Sequence, residues 1–167
     1  MKESIDIQQL INFFKENENR ISKFAYGYVK NQEMALDLVH ESIVKAIQKR
    51  DTLRDEQYLK TWFYRILINE CITTLRKNKK ITFIDEIKEN ECIEQINDFV
   101  IKNEYIDLYD AIDGLPPKLK TIIMLRYFED MKLDEIAEIT KTNLSTIKSR
   151  LYKALEILKI QMKGECL

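Results

Sequence analysis

The segment LPPKLKTIIMLRYFEDMKLDEIAEITKTNLSTIKSRLYKALEIL, residues 115–158, shows the clearest alternation of helical stretches and helix breaks in the chain. The pair Pro116–Pro117 stands near its start, and proline fits the first turn of a helix but not its interior. One helix is therefore predicted to end there and another to run over Lys118–Phe128. The apolar spacing of that helix predicts a buried face: Leu119, Ile122, Ile123 and Tyr127.

The second half of this segment predicts a helix-turn-helix. A short helix is predicted over Leu133–Thr140 and a longer one from Leu144 to about Lys163, separated by a turn that ends in Asn143, a good N-cap. With Ile147, Leu151, Leu155 and Leu158 inward, the outward positions are polar: Thr146, Lys148, Ser149, Tyr152, Lys153 and Glu156. Such a face can contact base edges and phosphates in a major groove. The alternative is a plain helical hairpin with a solvated basic face.

The composition of the whole chain favours long helices. Of 167 residues, 45% are hydrophobic and 33% charged, with 3 glycines and 2 prolines. Glycine and proline supply most tight turns of barrels and sandwiches, so their scarcity predicts an all-α protein of one domain or two small ones. Arg65 and Arg126 interrupt the most apolar runs, none of which approaches a membrane span of about 18 residues. Because the N-terminus also lacks a secretory signal pattern, a soluble, cytoplasmic protein is expected.

The first 80 residues also show helical periodicity. Apolar residues recur at helical spacing over Ile7–Tyr28, and Lys30–Gln32 predicts a break. The next helix has one apolar stripe: Ala35, Leu38, Val39, Ser42, Ile43 and Ala46. Its polar face carries a row of charged residues four positions apart: Asp37, Glu41 and Lys45. A loop-like stretch, 49–57, then precedes a helix predicted from Tyr58 to about Lys77.

Charge is distributed unevenly, although the net charge is only −1. Residues 1–80 carry 15 Lys and Arg against 11 Asp and Glu, whereas residues 81–105 carry 2 against 7. The stretches 60–80 and 144–163 are basic, and such patches are either phosphate-binding surfaces or solvated faces. We therefore predict a domain over 1–80, an acidic linker over 81–105 in which a short helix is possible, and a domain over 106–167.

The residues that common enzyme sites need are missing from the sequence. Three cysteines, at 71, 92 and 166, have no CxxC spacing, which argues against a disulfide framework and a structural zinc site. The single histidine, His40, has Val44 where a zinc protease helix needs its second histidine. No nucleophile elbow and no glycine-rich phosphate loop is present. No metal and no cofactor is expected.

Two parts of the chain resemble one protein family. The segment 115–158 resembles domain 4 of the group IV, extracytoplasmic-function (ECF), bacterial sigma factors. The segments YGYVKNQEMALDLVHESIVKAI, residues 26–47, and YLKTWFYRILINECITTLRKNKK, residues 58–80, resemble domain 2 of the same family. The matches stand in the family's order with a variable acidic linker between them. The composition, rich in Lys, Ile and Asn, is similar to that of the SigV type in Firmicutes.

The resemblance implies two small helical domains, a domain 2 bundle and a domain 4 helix-turn-helix, and gives roles to residues of each. Contacts to the promoter −35 element are implied for six residues of the last helix: Thr146, Lys148, Ser149, Arg150, Tyr152 and Lys153. Contacts to the −10 element are implied for the loop Thr52–Gln57 and for the helix after it: Tyr58, Lys60, Trp62, Tyr64, Arg65, Asn69, Arg76 and Lys77. Docking on the β′ clamp helices of RNA polymerase is implied for a surface of the second helix: Asp37, Leu38, His40 and Glu41.

The chemistry of these residues fits the implied roles, with three departures from the family pattern. Melted bases need stacking surfaces, and cations are needed to hold the DNA backbone. Lys79 and Lys80 follow Arg76 and Lys77 at the end of the helix and suit contacts to phosphates. Phe63 and Ile66 are expected inward; Lys60, Tyr64, Arg65 and Asn69 are expected nearer DNA. The departures are His40 where the family usually has Gln, Thr73 where it often has Asp, and Lys141 where Gly is common. Lys141 is expected either to be strained in a left-handed conformation or to stand in a turn that differs locally from the family's.

The resemblance implies a non-catalytic initiation factor with no small-molecule cofactor. Its implied partners are core RNA polymerase (the β′ clamp helices and the β flap), promoter DNA and a membrane-anchored anti-sigma factor that holds the protein at the inner face of the membrane. Two alternatives come from other classes. One is an operator-binding regulator that uses only the helix-turn-helix, and the other is a helical adaptor or enzyme with a ligand pocket at Trp62–Tyr64.

Overall fold

The computed structural model describes residues 5–79 and 108–163, and all regular structure within those two ranges is helical. This confirms the predicted all-α class. The chain forms two compact units, Met1–Lys80 and Ile81–Leu167. The predicted acidic linker, with its possible short helix, lies outside the described residues.

The first unit has three long helices and two short 3₁₀ turns. In chain order these are α1 (Ile7–Val29), α2 (Gln32–Gln48), the 3₁₀ turns Arg50–Thr52 and Glu56–Tyr58, and α3 (Leu59–Lys79). The break predicted at Lys30–Gln32 is confirmed. Lys30 is left-handed, with φ at 53°, and Asn31 caps α2 because its side-chain oxygen accepts the Met34 N–H at 3.0 Å.

Aromatic side chains join α1 to α3 in the core of the first unit. Phe63, predicted to point inward, is fully buried, and its ring centroid lies 4.9 Å from that of Phe14. The Phe24 and Tyr64 rings meet edge to face at 5.1 Å. Such aromatic pairs add about 0.5–1.5 kcal/mol each beyond the burial of their area. Cys71 of α3 is fully buried in the same unit.

The second unit consists of four described helices and one π-helical turn. These are α4 (Leu108–Asp113), α5 (Pro117–Ile123), the π-helical turn Met124–Phe128, α6 (Leu133–Thr140) and α7 (Leu144–Lys163). The core of this unit is built by buried apolar residues of α5, the π-helical turn, α6 and α7: Leu119, Ile122, Ile123, Leu125, Ile136, Ile139, Ile147, Leu151, Ala154 and Leu158. Lys120 is also buried, and its ammonium lies 3.4 Å from the Asp113 carboxylate, an ion pair within the unit.

The structure corrects the prediction of one regular helix over Lys118–Phe128. From Met124 the chain winds as a π-helix, and the Glu129 N–H donates to the Met124 carbonyl oxygen at 3.3 Å. This wider turn rotates the following side chains away from the positions that an α-helix would give them. Tyr127, predicted in the core, is therefore 56% exposed.

Candidate functional site

The turn of the helix-turn-helix is held by backbone bonds around a left-handed residue. Lys141 has φ 51° and ψ 42°, so it adopts the left-handed conformation, the first of the two outcomes expected at this position. The Thr142 N–H donates to the Ala137 carbonyl oxygen at 3.0 Å and closes the end of α6. Asn143 caps α7 as predicted, because its Oδ1 accepts the Thr146 N–H at 2.8 Å. These bonds set the direction in which α7 leaves the turn.

One side of α7 is polar and accessible. We call this side the α7 face, and its members are Lys148, Ser149, Tyr152 and Lys153. Three of them are exposed, Tyr152 by 69%, and Lys153 is half-buried. Thr146 and Arg150, both half-buried, lie at its border, since each helical residue advances by about 100°. Two cations, a hydroxyl and a phenol on adjacent turns can donate to phosphates and base edges.

A second polar line runs along the outside of α3. We call it the α3 stripe, and its members recur at spacings of three and four residues: Trp62, Arg65, Asn69, Thr73 and Arg76. Trp62 and Arg65 are half-buried, and the other three are exposed. Lys77, also exposed, borders the stripe. The stripe therefore combines one indole ring, an amide, a hydroxyl and two guanidinium groups on a single side of the helix.

The structure corrects the prediction that Tyr64 points toward DNA. Its side chain is 1% exposed and packs on Phe24 and Phe63. Two residues advance a helix by about 200°, so Tyr64 falls on the side opposite Trp62. The same spacing separates Lys60 from Trp62, and Lys60 is half-buried in the first turn of α3, away from the stripe.

The loop before α3 carries an exposed aromatic ring that the core does not use. Tyr58, in the second 3₁₀ turn, is 51% exposed. Within the loop, Leu53 is buried, and the Asp55 side chain accepts the Gln57 N–H at 3.1 Å. The Trp62 indole N–H donates to the Thr52 hydroxyl at 3.1 Å, which joins the loop to the α3 stripe.

The surface of α2 that was expected to dock a protein is only partly as predicted. Asp37, His40 and Glu41 are exposed, as that role requires. Leu38 is 5% exposed and belongs to the core, so its expected place on the docking surface is corrected. Leu38 is part of the predicted apolar stripe of α2, and a residue that packs inward cannot also serve a partner.

Two exposed apolar residues of α2 were missed by the sequence analysis. Leu36 and Val44 are 47% and 48% exposed. Both lie outside the apolar stripe but four residues to either side of His40, so spacing alone could have identified them. With Asp37, His40 and Glu41 they form what we call the α2 face, which combines apolar side chains with acidic ones.

Lys45, the last residue of the charged row of α2, forms an ion pair within the first unit. Its ammonium donates to the Glu70 carboxylate of α3 and forms an ion pair with it. The hydrogen bond that Lys45 donates to Glu70, together with the negative charges of Glu70 and Glu41, raises the pKa of Lys45 above its ordinary value, while burial opposes the rise. Lys45 therefore joins α2 to α3.

Within the described residues, no group of three or more His, Cys, Asp or Glu side chains is placed to hold a metal ion. No helix in that part of the chain is long and apolar enough to cross a bilayer.

The profiles of two sequence families match the two units. The family described as Sigma-70 region 2 matches residues 13–81, and the family described as Sigma-70, region 4 matches residues 105–158. The first match contains the α2 face and the α3 stripe, and the second contains the helix-turn-helix.

Several characterised proteins are similar to the chain over nearly its full length. The RNA polymerase sigma factor SigV of Bacillus subtilis (strain 168) is 44% identical over 161 residues, which cover 93% of this chain and 92% of the relative. The ECF RNA polymerase sigma factor SigW of the same organism is 26% identical, with 92% and 87% covered. The ECF RNA polymerase sigma-E factor of Haemophilus influenzae is 29% identical, with 85% and 81% covered.

One solved structure shares the fold. It is the sigma factor RpoE of Bartonella quintana, crystallised in complex with the anti-sigma factor NepR. The match covers 91% of this chain and 97% of that one, with a TM-score of 0.67 and 22% sequence identity.

Proposed function

The chain belongs to the sigma-70 family, in its extracytoplasmic-function group, and from this membership we propose that it directs RNA polymerase to a specific set of promoters. It acts as a non-catalytic initiation factor that binds core polymerase and promoter DNA. The observation that carries the proposal is the occurrence of both family regions in one chain, each on a unit that presents a polar, partly cationic surface.

We propose that the α7 face recognises the −35 element as a duplex. Lys148, Ser149, Tyr152 and Lys153 contact base edges, and Thr146 and Arg150 at the border contact phosphates. The exposure of Lys148 and Tyr152, and the capped start of α7 at Asn143, support this assignment. A recognition helix enters the major groove by its N-terminal part, where these residues lie.

We propose that the α3 stripe and the loop before it capture the −10 element as it melts. Tyr58 and Trp62 offer ring surfaces to unpaired bases, Asn69 offers an amide, and Arg65 and Arg76 hold the backbone with Lys77. Tyr64 has no part in this capture because its ring is in the core. Lys60 lies outside the α3 stripe, so it contacts the DNA only where the strand passes the first turn of α3.

We propose that the α2 face docks on the β′ clamp helices of core polymerase, while the second unit also contacts the β flap. Asp37 and Glu41 supply charge complementarity to a basic partner surface, and His40 supplies a donor and an acceptor. Leu36 and Val44 supply the apolar area, which contributes affinity when it is covered. A surface of this mixed type suits a partner that binds and is released.

We propose that an anti-sigma factor holds the protein inactive. The structural relative from Bartonella quintana is described in complex with such a factor, and the shared fold supports an equivalent partner here. We further propose that this partner is anchored in the membrane and retains the protein at its cytoplasmic side until a signal releases it.

Single-round transcription with purified core polymerase and a promoter library from a low-GC genome tests the proposal. We expect promoter-specific transcripts from the wild type. The double variant Lys148→Ala/Lys153→Ala should lose −35-dependent transcripts, and Asp37→Ala/Glu41→Ala should lose co-elution with polymerase.

Charge-matched variants on α1 control for the loss of two charges. Lys15→Ala/Arg20→Ala and Glu16→Ala/Glu18→Ala change exposed residues of α1 that belong to none of the proposed surfaces, and both variants should retain transcription. A wild-type protein that neither activates nor co-elutes with polymerase would contradict the proposal. Tight, palindrome-dependent duplex binding without polymerase would favour an operator-binding regulator.

A further inference from the structure

The Thr52 hydroxyl makes two hydrogen bonds that use its different capacities. It donates to the Lys49 carbonyl oxygen at 2.7 Å, and it accepts the Trp62 indole N–H at 3.1 Å. A hydroxyl has one hydrogen and two lone pairs, so both bonds form at the same time. We call this pair of bonds the Thr52 latch.

The Thr52 latch joins three elements of the first unit. Lys49 is the C-cap of α2, Thr52 ends the first 3₁₀ turn, and Trp62 lies in the first turn of α3. Between the two ends of the latch the chain is fixed twice more, by the buried Leu53 side chain and by the Asp55 cap on the second 3₁₀ turn. The loop 50–58 is therefore held along its length although most of its residues are exposed.

The Thr52 latch also determines which part of the Trp62 side chain can contact a ligand. The indole has a single N–H donor, and Thr52 takes it. What the half-buried indole offers to a ligand is its ring surface, which stacks on any base. The bond to Thr52 therefore fixes the orientation of the Trp62 ring. Tyr58, at the end of the loop 50–58, lies four residues before that ring in the sequence.

We propose that Thr52 is a positioning residue for −10 recognition: by latching the loop 50–58 to Trp62, it holds the exposed Tyr58 and the Trp62 ring in the arrangement that discriminates among −10 sequences. The inference rests on the proposed function. Thr52 need not touch DNA, because it acts through the geometry of the loop. Without the latch, the buried Leu53 still anchors the loop, but the Trp62 ring loses its bond to the loop and the site accepts bases less selectively.

The first test measures the latch directly in the full chain. Trp62 is the only tryptophan, so an ¹⁵N-labelled sample gives one indole N–H resonance. Thr52→Val keeps the shape of the side chain and removes the hydroxyl; we expect exchange of the indole proton with water to accelerate by about three- to tenfold, the factor that one net hydrogen bond gives. Thr52→Ser keeps the hydroxyl and should retain the wild-type rate. Equal rates in Thr52→Val and wild type would overturn the proposal.

The second test measures selectivity. Single-round transcription is compared between a preferred promoter and the same promoter with a substituted −10 element, and then with a substituted −35 element. Thr52→Val should reduce the −10 preference by about three- to tenfold and leave the −35 preference unchanged, with Thr52→Ser restoring the −10 preference.

The outcomes separate the two proposals. If the wild type transcribes and Thr52→Val keeps the full −10 preference, the positioning role is wrong and the proposed function stands. If Thr52→Val lowers both preferences equally, the residue serves only stability, which also overturns the role. If the wild type starts no transcription with polymerase from any promoter, the proposed function and the role of Thr52 within it both fall.

Discussion

Lys141 shows at a single residue how backbone strain is placed in the turn of the helix-turn-helix. Its left-handed conformation costs a residue with a Cβ about 1–2 kcal/mol, whereas glycine avoids that cost but loses more entropy on folding. We expect Lys141→Gly to raise the free energy of unfolding of the second unit by about 0.5–1 kcal/mol, measured by urea denaturation. Lys141→Ala removes the long side chain and keeps the Cβ, so it should give no such gain. A gain from both variants would show that side-chain charge, not backbone strain, is the cause.

The ion pair between Lys45 and Glu70 makes a residue-scale prediction about pH. Because the pKa of Lys45 is raised in the folded protein above its ordinary value of 10.5, the unfolded chain releases the proton first as the pH rises. The stabilisation by the pair is therefore complete below pH 10.5 and is lost as the pH rises through the folded pKa.

Comparison with Glu70→Gln tests this dependence. The difference in the free energy of unfolding between wild type and Glu70→Gln should be constant from about pH 7 to pH 9 and shrink above pH 10.5. Urea denaturation at each pH measures it. A difference that grows with alkaline pH would contradict the assignment of the pair.

At the scale of one element, α7 depends on its first residue outside the helix. Asn143 satisfies the Thr146 N–H, and removing such a cap costs about 0.5–2 kcal/mol. We expect Asn143→Ala to lower the hydrogen-exchange protection of the first turn of α7 and to weaken −35-dependent transcription with it. Asn143→Asp keeps an accepting oxygen and should preserve the protection. Unchanged protection in Asn143→Ala would mean that packing of Ile147 alone holds the start of the helix.

The helices themselves could be predicted from spacing, but the roles of neighbouring aromatic residues could not be predicted from residue type. In α3, Trp62, Phe63 and Tyr64 follow one another, and aromatic character suits both a core and a base-stacking surface. The spacing of Trp62, Arg65, Asn69, Thr73 and Arg76 does identify the outer side, and a stricter count would have placed Tyr64 inward. The π-helical turn of Met124–Phe128 was beyond such counting, because its apolar residues continue the pattern of the preceding α-helix.

At the scale of the whole molecule, each of the two units has its own core and should unfold as its own cooperative step. Calorimetry of the full chain is expected to show two transitions. Phe63→Ala empties the aromatic core of the first unit and should lower the stability of that unit by about 3–5 kcal/mol while leaving the other transition in place. Lys141→Gly should shift only the second transition. One transition that responds to both variants would show that the units fold as a single cooperative body.

The buried thiol of Cys71 can report on the opening of the first unit. A cysteine reacts as its thiolate, and only when a reagent can reach the sulfur. Cys71 is buried in the packing of the first unit, so reagents do not reach it while the unit is folded. Alkylation of Cys71 in the native protein therefore proceeds only as often as the first unit opens, so the adduct accumulates as a record of those openings. Oxidants would likewise reach this sulfur only in molecules that have opened, and their first products, a sulfenic acid or a disulfide, can be reduced again. The alkylated fraction of Cys71, measured by mass spectrometry of the one peptide that contains it, therefore reports how often the first unit opens.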